Sequence, residues 1–393
     1  MSPYDIAVMG AGHNGLVAAC YLAKAGKKVL VLERQPWPGG GVVTREINTP
    51  GYRHDLHSRV HIMILGNLML TENELGLIGK HGLKYNYSDV PYASLFLDQS
   101  ALITYKDLDR SCAEIANTYR RFAERSMAML PMFVTGLYSP PPPLGAFMAM
   151  LDSSDEGREM LDAMSRSSLD IIDDAFEHDR VKMHLLKLVT ENLQLPDELG
   201  AGMGIFQMPG IIHTYGVSQP VGGSGGLTDA LVRCLAANGG ELRLDAEVAQ
   251  VIVRSGRAAG LKLASGEEFL AKDGVIGAIH PHRLKSFVAG LEPAVSERAR
   301  RVTTSTFSLF VSHYDLKQQT RYHAAAAFPR SRSWAGATKP TPTPPAPRPA
   351  PASFTPSRWP PTISRAKAPP IGTKSRARRR RRTSPTTAAS SPT

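Results

Sequence analysis

Apolar and polar positions follow a regular order at the start of the chain. The apolar run Asp5-Ile-Ala-Val-Met9 leads into Gly10-Ala-Gly-His-Asn-Gly15, and a stretch with helical apolar spacing continues to Ala25. A second apolar run ends at Glu33. Short apolar runs bounded by turn residues are typical of buried strands, and apolar spacings of three and four are typical of helices. The pattern therefore predicts a strand, a glycine turn, a helix and a second strand.

The glycine turn has the spacing of a dinucleotide-binding site. Gly10 permits a tight turn, Gly12 lets the backbone approach a pyrophosphate, and Gly15 lets the helix pack on the strand. The free N–H groups and the positive dipole end of the helix then face the phosphates. Ala11 and Asn14 lie in the same turn, and we assign all five residues to the cofactor site.

Glu33 stands at the tip of the second predicted strand. Its carboxylate can accept hydrogen bonds from a ribose and disfavours a phosphorylated ribose. Arg34 follows, and a second glycine loop, Gly39-Gly40-Gly41, comes close behind. We assign all of these residues to the same site. A nicotinamide-binding fold does not need this second loop.

The run Gly39-Gly-Gly-Val-Val-Thr-Arg-Glu-Ile47, followed by Pro50-Gly-Tyr52, resembles the flavoprotein superfamily of phytoene desaturases and amine oxidases. It is most similar to the phytoene dehydrogenase-like branch. The resemblance implies that the loop runs under the pyrophosphate and ribityl chain of FAD. It also implies a glutathione-reductase-like FAD-binding domain that is split in sequence.

The second half of that domain is expected after Gln219-Pro-Val-Gly-Gly-Ser-Gly-Gly-Leu227. The pattern predicts a helix and a strand, then a three-stranded meander and a returning strand, with these bounds: Thr228 to Ala237, Glu241 to Leu244, Val248 to Arg254, Ala258 to Leu263, Glu268 to Ala271 and Gly274 to Ala278. The resemblance implies that the backbone of Val248 meets the adenine. A nicotinamide dehydrogenase would instead be expected to show further βαβ units.

The middle of the chain is predicted to form a substrate domain. Helical spacing covers Cys112 to Met129, Glu159 to Phe176 and Val181 to Leu193, with short strands at Tyr92 to Phe96 and Ala101 to Tyr105. The Met-rich stretches Met127 to Val134 and Leu144 to Leu151 flank a run of four prolines. Core packing and contact with an apolar ligand are both open for them, because methionine adapts to irregular apolar shapes.

The stretch from Gly51 to His61 holds His54, Asp55, His57 and His61. Its spacing matches no standard zinc pattern, so we assign no metal site. A solvated polar loop remains one interpretation. The resemblance offers another, in which these groups line the passage to the flavin ring.

The three cysteines lack a C-x-x-C spacing and are predicted to be reduced and buried. The first strand begins within a few residues of Met1, which argues against a signal peptide. No apolar run reaches the roughly 18 residues of a membrane span. We therefore expect a cytoplasmic enzyme, with peripheral membrane contact left open.

The charge of the chain is unevenly distributed. Of 46 Lys and Arg, 14 lie in residues 324–393, which contain no Asp or Glu, so Met1 to His323 carries 32 basic against 35 acidic residues. The net charge of +11 therefore belongs to the tail, and no specific nucleic-acid partner is expected for the body. The tail is predicted to be disordered, either as a basic arm ending near Arg378 to Arg382 or as the product of a shifted reading frame. Thr303 to His313 is predicted to form one more strand before it.

We expect an α/β fold with an FAD-binding domain in residues 1–64 and 219–284, a substrate domain in residues 65–218 and 285–323, and a tail in residues 324–393. The resemblance implies hydride removal from a small apolar, polyene or lipid-like substrate to flavin N5. Because the resemblance covers the chain only to about Phe310, a noncatalytic nucleotide-binding remnant is an alternative. A nicotinamide dehydrogenase is a second alternative. No acid/base pair stands out, so no catalytic residue is assigned.

Overall fold

The computed structural model describes residues 4–190, 193–305 and 308–317. The chain divides into two units, Met1–Thr341 and Pro342–Thr393, and every described residue belongs to the first. The predictions for the tail lie outside the described residues. The two-domain division of the body stays a prediction.

The strands of the described part follow one another in this order: β1 Tyr4–Met9, β2 Val29–Leu32, β3 Thr44–Glu46, β4 Arg53–Asp55, β5 Tyr85–Ser88, β6 Tyr92–Leu95, β7 Ala101–Thr104, β8 Val217–Pro220, β9 Glu241–Arg243, β10 Val248–Arg254, β11 Arg257–Leu263 and β12 Glu268–Gly277. The helices are α1 His13–Lys24, α2 Leu68–Thr71, α3 Leu108–Glu114, α4 Asn117–Tyr138, α5 Leu144–Asp152, α6 Asp155–Ser165, α7 Ser168–Ala175, α8 Asp179–Thr190, α9 Gly202–Thr214, α10 Gly225–Ala237, α11 Leu284–Phe287 and α12 Pro293–Arg300.

A six-stranded sheet with the order β10-β11-β12-β1-β2-β9 forms the centre of the fold. The strands β12, β1, β2 and β9 are parallel to their neighbours, whereas β10, β11 and the start of β12 form an antiparallel meander. All four residues of β2 are buried, as expected for a parallel strand that is covered on both faces. The predicted α/β fold with a Rossmann-like domain is confirmed.

The third meander strand and the returning strand are one continuous strand, not two as predicted. Strand β12 pairs antiparallel with β11 up to Leu270 and parallel with β1 from Ala271 onward. Gly274, which suggested a break, has a φ of +151° and lies next to an irregularity in the pairing with β1. A bulge therefore absorbs the apparent interruption without ending the strand.

Helices α1 and α10 pack together on one face of the sheet. Leu16 and Cys20 of α1 meet Leu231 and Cys234 of α10 in the same buried cluster as Val31 of the sheet. The meander packs with the opposite sheet face in a second cluster. Cys20, Cys112 and Cys234 are free and buried, as predicted, and burial raises the pKa of the Cys20 thiol.

The helices from α3 to α9 surround a separate cluster in which Phe122 stacks on Phe206 with ring centroids 4.9 Å apart.

Two predicted helices, Cys112 to Met129 and Glu159 to Phe176, are each divided in two. The first breaks at Ala116, whose backbone is extended, and the second breaks where Ser167 begins α7 with a capping box to Asp170. The two predicted short strands are confirmed as β6 and β7, with each end within one residue, and they pair antiparallel.

The predicted strand from Thr303 to His313 is absent from its described parts, 303–305 and 308–313. A strand needs a partner for its backbone groups, and no pairing is formed there by described residues. Phe310 is 95% exposed. In the described part of the chain, no helix combines the length and the apolar character needed to cross a membrane.

Candidate dinucleotide-binding site

The first glycine turn joins β1 to α1 and cannot carry side chains at two of its positions. Gly10 has a φ of +99°, and its N–H donates to the Leu32 carbonyl at 2.8 Å. A Cβ at Gly15 would lie 2.2 Å from the Gly10 carbonyl oxygen and 2.9 Å from the Ala278 Cβ. Gly10 is therefore required by backbone conformation and Gly15 by the contact between helix and sheet.

Gly12 differs from both because a side chain at this position would enter open space. A Cβ at Gly12 would meet nothing within 4 Å, and its φ of −63° is accessible to any residue. Helix α1 begins directly after it, and no side chain of the described residues caps this end. The first N–H groups of a helix have no partner within the helix and carry its positive dipole end. Open space in front of such donors fits an anionic group.

Glu33 lies against the same turn. Its carboxylate accepts hydrogen bonds from the N–H of Ala11 at 2.8 Å and from the N–H of Gln35 at 3.0 Å. The two bonds fix the carboxylate at the tip of β2, and each oxygen keeps a lone pair for a further donor. Arg34, the next residue, is exposed. Val248 begins β10, with its side chain buried in the meander cluster.

The second glycine loop is held on the first. The N–H of Gly39 donates to the Ala11 carbonyl at 2.8 Å, and Gly39 forms a parallel bridge with Gly12. A Cβ at Gly40 would come within 3.0 Å of the Gly12 Cα. A Cβ at Gly41 would meet nothing within 4 Å. The structure thus brings together the two loops that the sequence separates by more than twenty positions.

The N-terminus of α10 is closed by protein groups, in contrast to α1. The Asp55 carboxylate accepts the N–H of Ser224 at 2.8 Å and the Ser224 hydroxyl at 3.0 Å. The Thr44 hydroxyl accepts the N–H of Gly225 at 2.8 Å and donates to Asp55. Of these two glycine-opened helices, only α1 therefore offers an open end.

The polar stretch from Gly51 to His61 is spread over three different contacts. His54 lies 2.7 Å from an Asp315 carboxylate oxygen, Asp55 caps α10, and His61 bonds to the Tyr85 hydroxyl at 2.9 Å. His57 is exposed. No three His, Cys, Asp or Glu side chains within residues 4–190, 193–305 and 308–317 converge as a metal site would require.

Comparison with known proteins agrees with this geometry. A family model for NAD(P)-binding Rossmann-like domains matches residues 8–67, which include both glycine loops. A limonene dehydrogenase polypeptide from Castellaniella defragrans is 27% identical over 327 residues, with 81% of this chain and 55% of the relative covered. Prolycopene isomerase 2 from an Oncidium hybrid cultivar is 28% identical over 299 residues, with 68% of this chain and 47% of the relative covered. A 4,4'-diapophytoene desaturase from a Methylomonas species is 25% identical over 344 residues, with 80% of this chain and 63% of the relative covered.

The chain is similar to the phytoene desaturase-like oxidoreductases. The resemblance inferred from the glycine loops is thereby confirmed. The chain spans about half the length of the first curated relatives it matches, between 47% and 55%.

Solved structures share the fold. An oxidoreductase from Methanosarcina mazei has a TM-score of 0.50 at 17% identity, covering 75% of this chain and 65% of that one. A putrescine oxidase variant has a TM-score of 0.51 at 16% identity, covering 76% and 63%. At these identities the likeness supports a shared Rossmann-like fold and nothing beyond the fold.

The role of Asp55 could not be read from the sequence. Its partner Ser224 lies far along the chain, and a carboxylate among histidines has no signature of a remote helix cap. This polar network closes the N-terminus of α10, so of the two glycine-opened helices only α1 keeps an open N-terminus.

We expect Asp55→Ala to lower the free energy of unfolding by about 1–3 kcal/mol, because the Ser224 N–H and the two hydroxyls lose their acceptor. Urea unfolding of the protein without added cofactor measures this. Asp55→Asn is the matched control, since its amide oxygen can still accept the Ser224 N–H, and we expect a smaller loss. Equal stability of all three proteins would show that the cap is not formed.

Proposed function

We propose that the chain binds FAD, with the pyrophosphate at the open end of α1. The observation that carries this proposal is the unfilled space at Gly12 in front of an uncapped helix. The backbone from Gly10 to Gly15 would hold the pyrophosphate, Glu33 the ribose, and the loop Gly39-Gly40-Gly41 the adjoining part of the cofactor. By the resemblance, the backbone of Val248 would meet the adenine.

We also propose that the protein is an FAD-dependent oxidoreductase of the phytoene dehydrogenase type. Bound FAD supplies a hydride acceptor for a saturated carbon. The chain's own part is to bind and orient the cofactor through the two glycine loops, and α1 aligns donors that need no rearrangement on binding. The names of the relatives refer to limonene, prolycopene and diapophytoene. A small apolar substrate of this kind is our proposal for this chain.

The two Met-rich stretches differ in a way that bears on the substrate. Met129 and Phe133 of α4 are buried, so the first stretch serves core packing. In α5, by contrast, Leu144 is 69% exposed and Met150 is 49% exposed. Such side chains suit contact with an apolar surface or ligand. Helix α5 is therefore the better candidate for contact with an apolar ligand or surface. A cytoplasmic location with peripheral membrane contact remains a separate proposal.

Colour tests the cofactor directly. The purified full chain should be yellow, or become yellow with added FAD, and should release FAD when it is denatured. A folded protein that stays colourless and does not take up FAD would favour the noncatalytic remnant. Uptake of NAD without FAD would favour the nicotinamide dehydrogenase.

We expect Glu33→Ala to raise the Kd for FAD by the equivalent of about 1–3 kcal/mol, the size of a charge-assisted hydrogen bond. The Ala11 N–H, which now donates to Glu33 at 2.8 Å, would also lose its acceptor. FAD titration followed by fluorescence quenching measures the change. Glu33→Gln keeps an acceptor oxygen without the charge and should fall between Glu33→Ala and wild type. An unchanged Kd in Glu33→Ala would place the ribose elsewhere.

A further inference from the structure

His61 carries a buried polar atom without a protein partner. Its side chain is 4% exposed, its Nδ1 lies 2.9 Å from the Tyr85 hydroxyl, and its Nε2 has no hydrogen-bond partner among the described residues. Most buried polar side-chain atoms in native proteins are hydrogen-bonded, so an exception calls for an explanation. Leaving such an atom unpaired costs free energy, and a ligand that pairs with it recovers that cost.

The position of His61 suggests which ligand this is. The segment leading to it runs along the second glycine loop, because the N–H of Ser58 donates to the Gly41 carbonyl at 3.0 Å. His13, the first residue of α1, contributes to lowering the pKa of His61. His61 therefore follows a segment that is held on the second glycine loop of the candidate dinucleotide site.

The Tyr85 hydroxyl determines which ring nitrogen of His61 carries the proton. Among the described residues, the His61 Nδ1 is the one hydrogen-bond partner of this hydroxyl. Tyr85 is half-buried, and we assign its hydroxyl as the donor to Nδ1, which places the ring proton on Nε2. Burial lowers the pKa of His61 to about 4, although Asp55 opposes that shift, so the ring is neutral near pH 7.

We propose that the Nε2–H of His61 donates a hydrogen bond to the bound dinucleotide, with Tyr85 as the positioning residue that holds the ring in this tautomer. The inference rests on the proposed function, because it assumes that the dinucleotide occupies the open end of α1. It adds a side-chain contact to a site otherwise formed mainly by backbone groups.

Two substitutions distinguish the role of the His61 Nε2 from that of its Nδ1. In His61→Gln the side-chain N–H₂ reaches the position of Nε2, whereas in His61→Asn it stays near Nδ1 and Tyr85. Full-length proteins freed of cofactor are titrated with FAD, and wild type is measured first. We expect His61→Asn to raise the Kd about tenfold, the worth of one hydrogen bond to a buried donor, and His61→Gln to raise it less than about threefold.

A structural role for His61 predicts the opposite order. If its task were only to hold Tyr85, Asn would substitute better than Gln. Equal Kd values for both variants and wild type, or a tighter Asn variant than Gln variant, would overturn the inference. Failure of wild type to bind FAD at all would instead overturn the proposed function.

Tyr85→Phe provides a test that leaves His61 intact. Without the hydroxyl, the proton is free to occupy either ring nitrogen, so we expect the Kd to rise about two- to threefold. The thermal unfolding of each apo-protein is recorded beside the titration. If His61→Asn does not fold, the inference stands only if His61→Gln binds FAD within about threefold of wild type and Tyr85→Phe binds it more weakly. Either failure overturns it.

Discussion

Gly12→Val is expected to raise the Kd for FAD about a hundredfold or more while the protein still folds. The two effects separate because the Cβ of the added side chain would meet nothing within 4 Å and the φ of −63° suits valine. The side chain would occupy the space in front of the α1 N–H groups, where the pyrophosphate is proposed to lie. Flavin content after purification and FAD titration of the apo-protein both measure this loss.

Thermal unfolding of the cofactor-free protein is the control for Gly12→Val. The transition of the variant should match that of wild-type apo-protein, because the space next to Gly12 is open to a Cβ. A folded Gly12→Val protein with unchanged flavin content would show that the pyrophosphate lies elsewhere. A variant that fails to fold would contradict the open space seen at this position.

Gly15→Val is expected to lower the free energy of unfolding by about 3 kcal/mol, at the upper end of what overpacking usually costs. Here the added Cβ would lie 2.2 Å from the Gly10 carbonyl oxygen, which belongs to the backbone and cannot rotate away. The helix would have to move off the strand, so FAD binding should weaken as well. Urea unfolding of the apo-protein gives the stability change.

Gly41→Ala is the matched control for the Gly15 variant. It adds a methyl group at another glycine of the candidate site, but its Cβ would meet nothing within 4 Å. We expect its unfolding midpoint to equal that of wild type. If Gly15→Val were as stable as Gly41→Ala, the close approach of α1 to β1 would be wrong.

The first glycine turn could be predicted because its physics is local. The conformation of Gly10 and the close approach of Gly15 to the Gly10 carbonyl arise within one strand, one turn and one helix. Spacing along the chain therefore carries the information. The α/β class followed from the same local patterns, since β2 is a continuous apolar run and α1 has helical apolar spacing.

The contacts of Asp55 and His61 could not be predicted because their partners are remote in sequence. Asp55 caps a helix that begins at Gly225, and His61 meets Tyr85 on another strand. Neither contact leaves a periodic signal. Helix α9 was missed for another reason. Its residues are buried around most of its circumference, so it lacks the polar face that marks an amphipathic helix.

Two boundaries that differ from the prediction have local signals in the sequence. Ser167-Ser-Leu-Asp170 is the pattern of a capping box, and it divides the predicted helix from Glu159 to Phe176 into α6 and α7. Gly274 acted in the opposite direction, because a bulge within β12 resembles a turn in sequence. Glycine in a strand interior is therefore a weaker boundary signal than a capping residue.

The pairing of β1 with β12 also governs when the site can form during synthesis. Strand β1 leaves the ribosome before β12, since its neighbour Ala271 and the residue behind the glycine turn, Ala278, are made only after most of the described chain. Pairings between residues so far apart form slowly, because a long loop must close before they contribute. If the site binds FAD as proposed, a nascent chain displays the glycine motif before β12 has paired with β1, and cofactor binding is expected to follow translation of β12.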